Sequence, residues 1–226
     1  MRVTVALVPS PDLRVTGCAV ILDILRASTT LTVALANGAA AVLPIATVEE
    51  ALRQRAARSG ALACGERDGL KCEGFDLGNS PLEYTPGRVQ GQTLVFASTN
   101  GSRLMLLAAR ARRRVLGAFV NAAAVVEAIA REPHVTLMCA GKQGRFCLED
   151  AACAGLLCER LAARGARLDG AAARFARTLA PRDADETRRL LEGSAHGRDL
   201  RALGPAFARD VVACAALDSI DRAFDA

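Results

Sequence analysis

A carboxylate stands beside hydroxyl and cationic side chains where an apolar run of the chain ends, in DILRASTT at residues 23 to 30. Asp23 closes that run. Ser28 and Thr29 fall where a helix is predicted to begin, and free N–H groups and the helix dipole favour an anion there. With Arg26 three residues after the carboxylate, the arrangement suits a metal ion and a phosphate. The alternative is that Asp23 only caps the helix.

A second stretch with this character is CGERDGLKCEGFDLGNSP, residues 64 to 81, in a chain otherwise rich in alanine, leucine and valine. So polar and glycine-rich a stretch cannot bury a face of its own, and we predict a loop. Its glycines favour a ligand-binding loop over a solvent-exposed charged loop, because they let the backbone approach a ligand closely. Its acidic side chains are hard oxygen ligands of the kind that Mg²⁺ takes, and its cations can hold substrate anions. These side chains are Glu66, Asp68, Glu73, Asp76, Arg67 and Lys71.

Three further turns carry polar side chains that could face a ligand. The hydroxyl-rich turn STNGSR, residues 98 to 103, opens a predicted helix and could hold phosphate, although Asn-Gly turns are common. Of the 29 basic residues only two are lysine, and Lys142, like Lys71, lies in a glycine-bearing loop. His196 stands in a predicted turn before a helix, where it is either a phosphate ligand or general acid, or a cap.

A competing mechanism is suggested by Cys139 and Arg145, which are separated by five residues after a predicted strand. Thiol-dependent phosphatases use this spacing to cradle a phosphate and attack it with a thiolate of depressed pKa. The apolar Met138 before the cysteine and Phe146 after the arginine, which offers no hydroxyl, argue against it. The acidic pair Glu149–Asp150 that follows is either a set of metal ligands or the acidic first turn of a helix.

Apolar strands alternate with helical patterns along the chain, which predicts βα units in an α/β fold with layered αβα architecture. We expect a largely parallel or mixed sheet with helices on both faces and with the strand-to-helix loops on one edge. We predict one domain over residues 1–226, as one unit or two closely packed lobes. The predicted strands cover residues 3–8, 18–25, 40–45, 93–97, 114–119 and 135–140. The predicted helices cover residues 27–35, 47–60, 102–112, 122–131, 148–165 and 186–193, with a last helix opened by Pro205.

Composition excludes several classes of protein. Hydrophobic residues make up 51% of the chain, yet no apolar run reaches membrane-spanning length and no leader cleavage site follows the strand-like N-terminus. The cysteines fall within strand and helix patterns, which is typical of core thiols in a reducing cytoplasm. The arginines at 110 and 112–114 lack interleaved aromatic residues, so we expect no nucleic-acid partner. The P-loop, GxGxxG, HExxH and GxSxG motifs are all absent.

Taken together, these stretches resemble the 2-phosphosulfolactate phosphatase family. The resemblance runs from Asp23 to the C-terminal helices and is carried, in the family's order, by DILRASTT, ALANGA, GERDG, GFDLGNSP, STNGSR, CAG with LED, and SxHG. It implies an α/β fold peculiar to that family and a Mg²⁺-dependent phosphatase that hydrolyses 2-phospho-3-sulfolactate to 3-sulfolactate, a step toward coenzyme M. Ile24, Ser28, Ser98 and Ser102 are conservative departures, and Phe146–Cys147 stands where a more polar pair is often seen.

The resemblance and the residue patterns together predict roles for particular residues. Catalytic roles are expected for Asp23, Arg26, Glu66 and Arg67. Mg²⁺ is expected on some of Asp23, Glu66, Asp76, Glu149 and Asp150. Contacts to a small anionic phosphorylated substrate are expected from Ser28, Thr29, Asn79, Ser80, Asn100, Gly101, Arg103, Lys142 and His196. Asp68 and Glu73 are left as solvated surface, and we expect a homo-oligomer. The alternatives are a Cys139-dependent phosphatase of another small phosphoester and a non-catalytic binder of small anions.

Overall fold

The computed structural model of the chain describes residues 1–10 and 12–226. Its strands alternate with helices, and the predicted α/β class is confirmed. The strands are β1 (Arg2–Ala6), β2 (Cys18–Leu22), β3 (Ala41–Pro44), β4 (Ala61–Arg67), β5 (Leu70–Lys71), β6 (Thr93–Ala97), β7 (Arg113–Gly117), β8 (His134–Cys139), β9 (Arg167–Leu168) and β10 (Phe224–Asp225). The α-helices are α1 (Ala27–Ala36), α2 (Val48–Ala56), α3 (Pro86–Val89), α4 (Gly101–Leu107), α5 (Ala122–Ile129), α6 (Leu148–Ala162), α7 (Ala171–Arg177), α8 (Ala184–Gly193), α9 (Ala195–Ala202) and α10 (Pro205–Cys214).

The larger sheet has six strands in the order β10-β7-β2-β8-β1-β9, all parallel to their neighbours except β10. Its central strand β2 is buried along its whole length, as expected for a parallel strand covered on both faces. Leu22, at its end, pairs with Gly117 of β7 and Cys139 of β8. The carboxyl ends of these three strands therefore lie side by side.

The smaller sheet has four strands in the order β3-β6-β4-β5. The first three are parallel, and β5 pairs antiparallel with β4 through a hairpin. The predicted largely parallel or mixed arrangement is confirmed, and its strands are divided between two sheets. This division arises because β3 and β4 pair with β6 and form no ladder with the β2 sheet, a long-range choice that the local pattern does not encode.

Three hydrophobic clusters hold these layers together. Side chains alternate along β2, so Val20 and Leu22 join the cluster on one face of the larger sheet, while Ala19 and Ile21 join the cluster between the two sheets. Leu31 of α1, Phe96 of β6 and Met105 of α4 belong to that middle cluster. The outer face of the smaller sheet carries a third cluster, which includes Ala63, Phe75 and Val95. Because α1 and α4 fill the space between the sheets, their N-terminal ends approach each other.

The loop prediction for residues 64–81 is wrong in its first part. Residues 64–67 continue strand β4, and Asp68 and Gly69, with φ of 52° and 82°, form the turn into β5. Gly65 pairs with Ala97 of β6, and a Cβ at Gly65 would lie 2.0 Å from the Ala97 carbonyl oxygen. The two backbones are so close that only glycine fits. The glycine that suggested a loop is thus a requirement of strand pairing.

Capping side chains begin several helices. Thr47 Oγ1 accepts from the Glu50 amide at 3.2 Å, and an Asp183 carboxylate oxygen accepts from the Glu186 amide at 2.7 Å. Ser194 likewise accepts from the Gly197 amide at 2.9 Å and begins α9. His196 therefore lies within α9, which corrects its predicted place in a turn. No helix in the described part of the chain is both long enough and apolar enough to cross a membrane.

Candidate active site

A cavity of about 250 Å³ opens where the carboxyl ends of both sheets face each other. Asp23 follows β2 and Lys142 follows β8, so the larger sheet supplies one wall. Glu66, near the end of β4, and Asn100, after β6, come from the smaller sheet. The further lining side chains belong to Leu25, Arg26, Asp68, Asn79, Thr99, Gln143, His196, Asp199, Leu200 and Leu203. The predicted convergence of strand-to-helix junctions is confirmed for the junctions after β2, β6 and β8.

Asp23 is held at the junction of β2 and α1 by the start of the helix. Its amide donates to Ser28 Oγ at 3.0 Å, while the Ser28 hydroxyl donates to the Asp23 carbonyl at 2.9 Å. Among the described residues, the side chain makes only a long bond, with Oδ1 accepting from the Ala27 amide at 3.3 Å. A Cβ at Gly101 would lie 2.7 Å from Oδ2, so the start of α4 packs directly against this carboxylate. Asp23 is therefore positioned by its backbone, and its carboxylate keeps acceptor capacity for a ligand.

The charge around Asp23 is unbalanced. The residue is 8% exposed. Burial raises the pKa of Asp23 to about 6, and the nearby negative charges of Glu66 and Glu149 add to the shift, while His196 opposes it. A buried carboxylate whose neighbours include further carboxylates lowers its energy by gaining either a proton or a cation.

Glu66 faces the cavity from the other wall and is fixed by three donors. Oε1 accepts from the Thr99 amide at 2.8 Å, and Oε2 accepts from the Gly69 amide at 2.8 Å and from Thr99 Oγ1 at 3.3 Å. These bonds tie the β4–β5 hairpin to the turn after β6. Since a carboxylate offers about four lone-pair positions, Glu66 can still coordinate a cation without losing its position.

Asn79 brings an amide without a side-chain partner into the cavity. It is 5% exposed, and its Oδ1 is one of two buried side-chain polar atoms in the described chain that lack a hydrogen-bond partner. Its backbone is fixed, because Thr30 Oγ1 donates to the Asn79 carbonyl at 2.9 Å. An amide held in place but unsatisfied is suited to binding a ligand, since leaving it unpaired costs about 1–3 kcal/mol.

Lys142 and His196 reach the cavity with carboxylate partners already in place. The Lys142 ammonium lies 2.6 Å from Asp199 Oδ2, and His196 Nδ1 lies 3.1 Å from Glu149 Oε1. Burial raises the pKa of Glu149, but the hydrogen bond and charge of His196 outweigh burial and leave it below its ordinary value. The loop that carries Lys142 is joined to Asn100, whose Oδ1 accepts from the Gln143 amide at 3.1 Å.

Arg26 is the centre of what we call the anchor cluster, together with Gly69, Ser80, Phe207 and Asp210. Its guanidinium lies 2.5 Å from Asp210 Oδ2, donates to the Gly69 carbonyl at 2.6 Å and stacks 5.1 Å from the centre of the Phe207 ring. Ser80 donates to the other Asp210 oxygen. Arg26 touches the cavity, but its charge is already paired, and Ser80 does not line the cavity. The anchor cluster joins α10 to the β4–β5 hairpin.

Asp150, predicted as a metal ligand, lies behind the cavity wall. Its Oδ1 accepts from the Ile24 amide and its Oδ2 from the Gly141 amide, each at 2.9 Å. Burial, followed by the charges of Asp23 and Glu149, raises the pKa of Asp150 well above its ordinary value. This carboxyl group ties together the chain segments that leave β2 and β8. Glu149, the other member of the predicted pair, also does not line the cavity and contacts it only through His196.

Several predicted site residues lie elsewhere. Asp76 pairs with Arg55 and accepts from the Ala63 amide at 2.8 Å. The Arg67 guanidinium donates to the carbonyls of Glu66 and Ala46. Both side chains join neighbouring segments of the chain and do not line the cavity. The remaining residues that do not line it are Ser28, Thr29, Gly101 and Arg103. The hydroxyl groups of Ser28 and Thr29 form hydrogen bonds at the start of α1, where Thr29 Oγ1 donates to the Ile24 carbonyl. Arg103 is exposed.

The position of Cys139 argues against the thiolate mechanism. It is fully buried in the core of the larger sheet and does not line the cavity. Burial, followed by the charge of Asp150, raises the pKa of Cys139 well above its ordinary value, the opposite of what a nucleophilic thiolate needs. The eight cysteines are all buried and free, as expected for core thiols.

The cavity also contains residues that sequence reasoning missed. Asp68, which we left as solvated surface, lines it from the turn of the β4–β5 hairpin. Asp199 lines it from α9, three residues after His196, and that spacing on one helix face was the available signal. Leu200, in the next position, adds an apolar patch for which the sequence carried no signal.

Comparison with known proteins gives a consistent result. A family model described as 2-phosphosulpholactate phosphatase matches residues 4–223. A probable 2-phosphosulfolactate phosphatase of Thermotoga petrophila is 41% identical over 203 residues, which cover 88% of this chain and 85% of the relative. Proteins with the same name from Carboxydothermus hydrogenoformans and a Synechococcus strain are 41% identical over 203 residues and 40% identical over 214 residues. These matches cover 89% and 93% of this chain and 83% and 88% of the relatives.

Proposed function

The chain belongs to the 2-phosphosulpholactate phosphatase family, and we propose that it hydrolyses 2-phospho-3-sulfolactate to 3-sulfolactate and phosphate in a Mg²⁺-dependent reaction. This makes it a phosphoric monoester hydrolase. The observation that carries the metal-dependent form of the proposal is the charge of the cavity. Four carboxylates line it, those of Asp23, Glu66, Asp68 and Asp199, and its two permanent cations, Arg26 and Lys142, are already ion-paired. A substrate that bears phosphate, carboxylate and sulfonate needs further positive charge to enter.

Asp23 and Glu66 are the residues that we propose hold the Mg²⁺. They face the cavity from opposite walls with hard carboxylate oxygens, the ligands that Mg²⁺ prefers. The cation would also relieve the mutual repulsion that, after burial, raises the pKa of Asp23 to about 6. When bound, Mg²⁺ neutralises phosphate oxygens and stabilises the leaving alkoxide. Asp76 and Asp150 are not carried forward as ligands, because neither side chain lines the cavity.

The other polar side chains of the cavity orient the substrate. Asn79 lines the cavity, where its Nδ2 amino group can donate to an oxygen of the phosphate, carboxylate or sulfonate, and its unpartnered Oδ1 can accept from a donor or coordinate the cation. Lys142 can exchange its exposed partner Asp199 for a substrate anion at little cost, since exposed ion pairs contribute only about 0–1 kcal/mol. His196 directs Nδ1 to Glu149, so Nε2 is the nitrogen left to donate a proton toward the leaving oxygen.

We propose that this hydrolysis belongs to coenzyme M biosynthesis and takes place in the cytoplasm. Support for a reducing compartment comes from the eight free, buried cysteines. The homo-oligomeric state that we expect stays a prediction.

The proposal is tested by measuring phosphate release from 2-phospho-3-sulfolactate and from 2-phospholactate, which lacks the sulfonate, across a Mg²⁺ titration. We expect kcat/KM to rise with Mg²⁺ and to be at least about tenfold higher for the sulfonate substrate, a difference typical of one lost ionic contact. Equal rates for both substrates would overturn the substrate assignment. Absence of phosphate release at every Mg²⁺ concentration would overturn the enzymatic activity and favour a non-catalytic anion binder.

A further inference from the structure

A second group of ligand atoms converges beside the cavity, on Cys147 and Glu149, which the proposed function leaves unused, and on His196, whose Nδ1 faces Glu149. Cys147 is the residue before α6, Glu149 lies in the first turn of α6, and His196 lies in the first turn of α9. Their sulfur, oxygen and nitrogen ligand atoms all lie within 4.8 Å of one another. Two helix starts therefore bring three different metal-binding functional groups to one point.

The chemistry of these three groups selects a different ion from Mg²⁺. Thiolate and imidazole are soft or borderline ligands that favour Zn²⁺ and similar transition metals, whereas Mg²⁺ takes oxygen ligands. We propose that Cys147, Glu149 and His196 form a binding site for Zn²⁺ or an equivalent borderline-soft divalent cation, with the fourth coordination position directed to the cavity. Three protein ligands and one open position are typical of zinc sites that exchange a ligand.

The surrounding charge independently favours a cation at this position. Glu149 is buried, and so are the carboxyl groups of Asp23 and Asp150 near it and of Glu66 in the opposite wall of the cavity. The nearby guanidinium of Arg26 and ammonium of Lys142 are already paired with other carboxylates. His196 is the one side chain that meets Glu149 with possible positive charge in the described structure. A divalent ion would balance the remaining negative charge.

The site is rigid and has an entry path. Ser194 accepts from the Gly197 amide at 2.9 Å, and a Cβ at Gly197 would lie 1.8 Å from the Leu191 carbonyl oxygen. The start of α9 is thereby packed against the end of α8, which fixes the backbone that carries His196. Cys147 and Glu149 are buried, but the His196 side chain is 17% exposed and lines the cavity. An ion can therefore reach the site through the cavity.

The competing explanation is an ordinary His196–Glu149 ion pair next to a core thiol. Only the metal site requires a bond to the Cys147 sulfur, and Co²⁺ reports such a bond because cobalt–thiolate coordination produces a charge-transfer absorption in the near ultraviolet. The probe is Co²⁺ added to the reduced, metal-free full chain. The test variant is Cys147→Ser, and the matched control is Cys72→Ser, a buried cysteine in the outer cluster of the smaller sheet.

We expect the wild type and Cys72→Ser to develop the thiolate band with one equivalent of Co²⁺, and Zn²⁺ but not Mg²⁺ to abolish it. Cys147→Ser should lack the band, and His196→Ala should weaken Co²⁺ binding by more than about tenfold. A wild type without the band at saturating Co²⁺, or a band that persists in Cys147→Ser, would overturn the proposal. Circular dichroism checks that the variants are folded. The readout uses no substrate, so it stands apart from the outcome of the phosphatase assay.

Discussion

The cavity and the anchor cluster both draw on the turn between β2 and α1, yet they use its charged side chains in opposite ways. Asp23 enters the cavity with one long hydrogen bond of 3.3 Å and with carboxylates for neighbours. Arg26, three residues later, is 3% exposed and meets a carboxylate, a carbonyl and an aromatic ring within the anchor cluster. Polar side chains of the cavity therefore retain atoms that can still bind a ligand, whereas those of the anchor cluster are already paired with one another.

Within a single motif, one charged residue is thus available for chemistry and the other stabilises the fold. A buried charge without a partner raises the energy of the folded chain and is tolerated where a ligand will satisfy it. A buried charge with full pairing stabilises one arrangement of the chain and strongly resists loss of either partner. Substitutions in the cavity should therefore affect turnover, and those in the anchor cluster should affect folding.

The largest effect is expected from Asp23→Ala. We expect kcat/KM to fall by about 1,000-fold, or ~4 kcal/mol of transition-state stabilisation, because the proposed metal loses a ligand from the cavity wall. Steady-state phosphate release measures the loss, and circular dichroism should report an intact fold. Turnover within a few-fold of the wild type would place Asp23 with the anchor cluster, as an architectural residue.

Arg26→Ala should act on folding first. It leaves Asp210 buried without its cation, and we expect the free energy of unfolding to fall by about 3–5 kcal/mol in urea titrations. The control is Arg177→Ala, which breaks the exposed pair with Glu159 and should cost less than about 1 kcal/mol. If both variants lose the same small amount, the anchor cluster does not stabilise the fold as described.

The metal-free protein should lose stability as pH rises past the titration of Asp23. Its folded pKa of about 6 lies above the ordinary value of 3.8, so the folded state holds a proton that the unfolded chain has released. This contribution is fully present below about pH 4 and is lost by about pH 6, on the order of 3 kcal/mol for a shift of about two units.

Asp23→Asn, which cannot ionise, tests this dependence. Urea unfolding in EDTA should show the wild type losing free energy of unfolding relative to Asp23→Asn as pH rises across that window. A constant difference between the two proteins from about pH 4 to pH 7 would refute the shift in the pKa of Asp23.

The smallest of these effects is expected from Asn79→Ala. We expect KM to rise by about tenfold, or ~1.4 kcal/mol, with little change in stability because Oδ1 has no partner to lose. Thr32→Val is the matched control, since the Thr32 hydroxyl is also buried without a partner but does not line the cavity. Equal KM values in the wild type and Asn79→Ala would remove Asn79 from substrate binding.

The sequence predicted those strands and helices that the local pattern of hydrophobic and capping residues determines. Buried strands such as Cys18–Leu22 and capped helices such as the one after Thr47 are encoded by hydrophobic period and nearby side chains. The division into two sheets depends on which strands pair across long stretches of chain, as Ala63 does with Val95. Local pattern carries no information on that choice.

The candidate site divides in the same way. Asp23 could be placed at the cavity from sequence because parallel strands end at a common edge. Two pairings could not be predicted from sequence, because they depend on tertiary proximity. These are the pairing of Arg26 with Asp210, 184 positions away, and that of Asp76 with Arg55. Predicting which charges are free for chemistry requires knowing which are already paired, and that is a property of the folded chain.

The central claim is that the unpaired carboxylates of the cavity act through a divalent cation. The most direct test is phosphate release from 2-phospho-3-sulfolactate by the wild type and Cys139→Ser in EDTA, followed by return of Mg²⁺. We predict that EDTA abolishes turnover in both proteins and that Mg²⁺ restores it in both. Turnover that survives EDTA in the wild type and is absent from Cys139→Ser would contradict the claim.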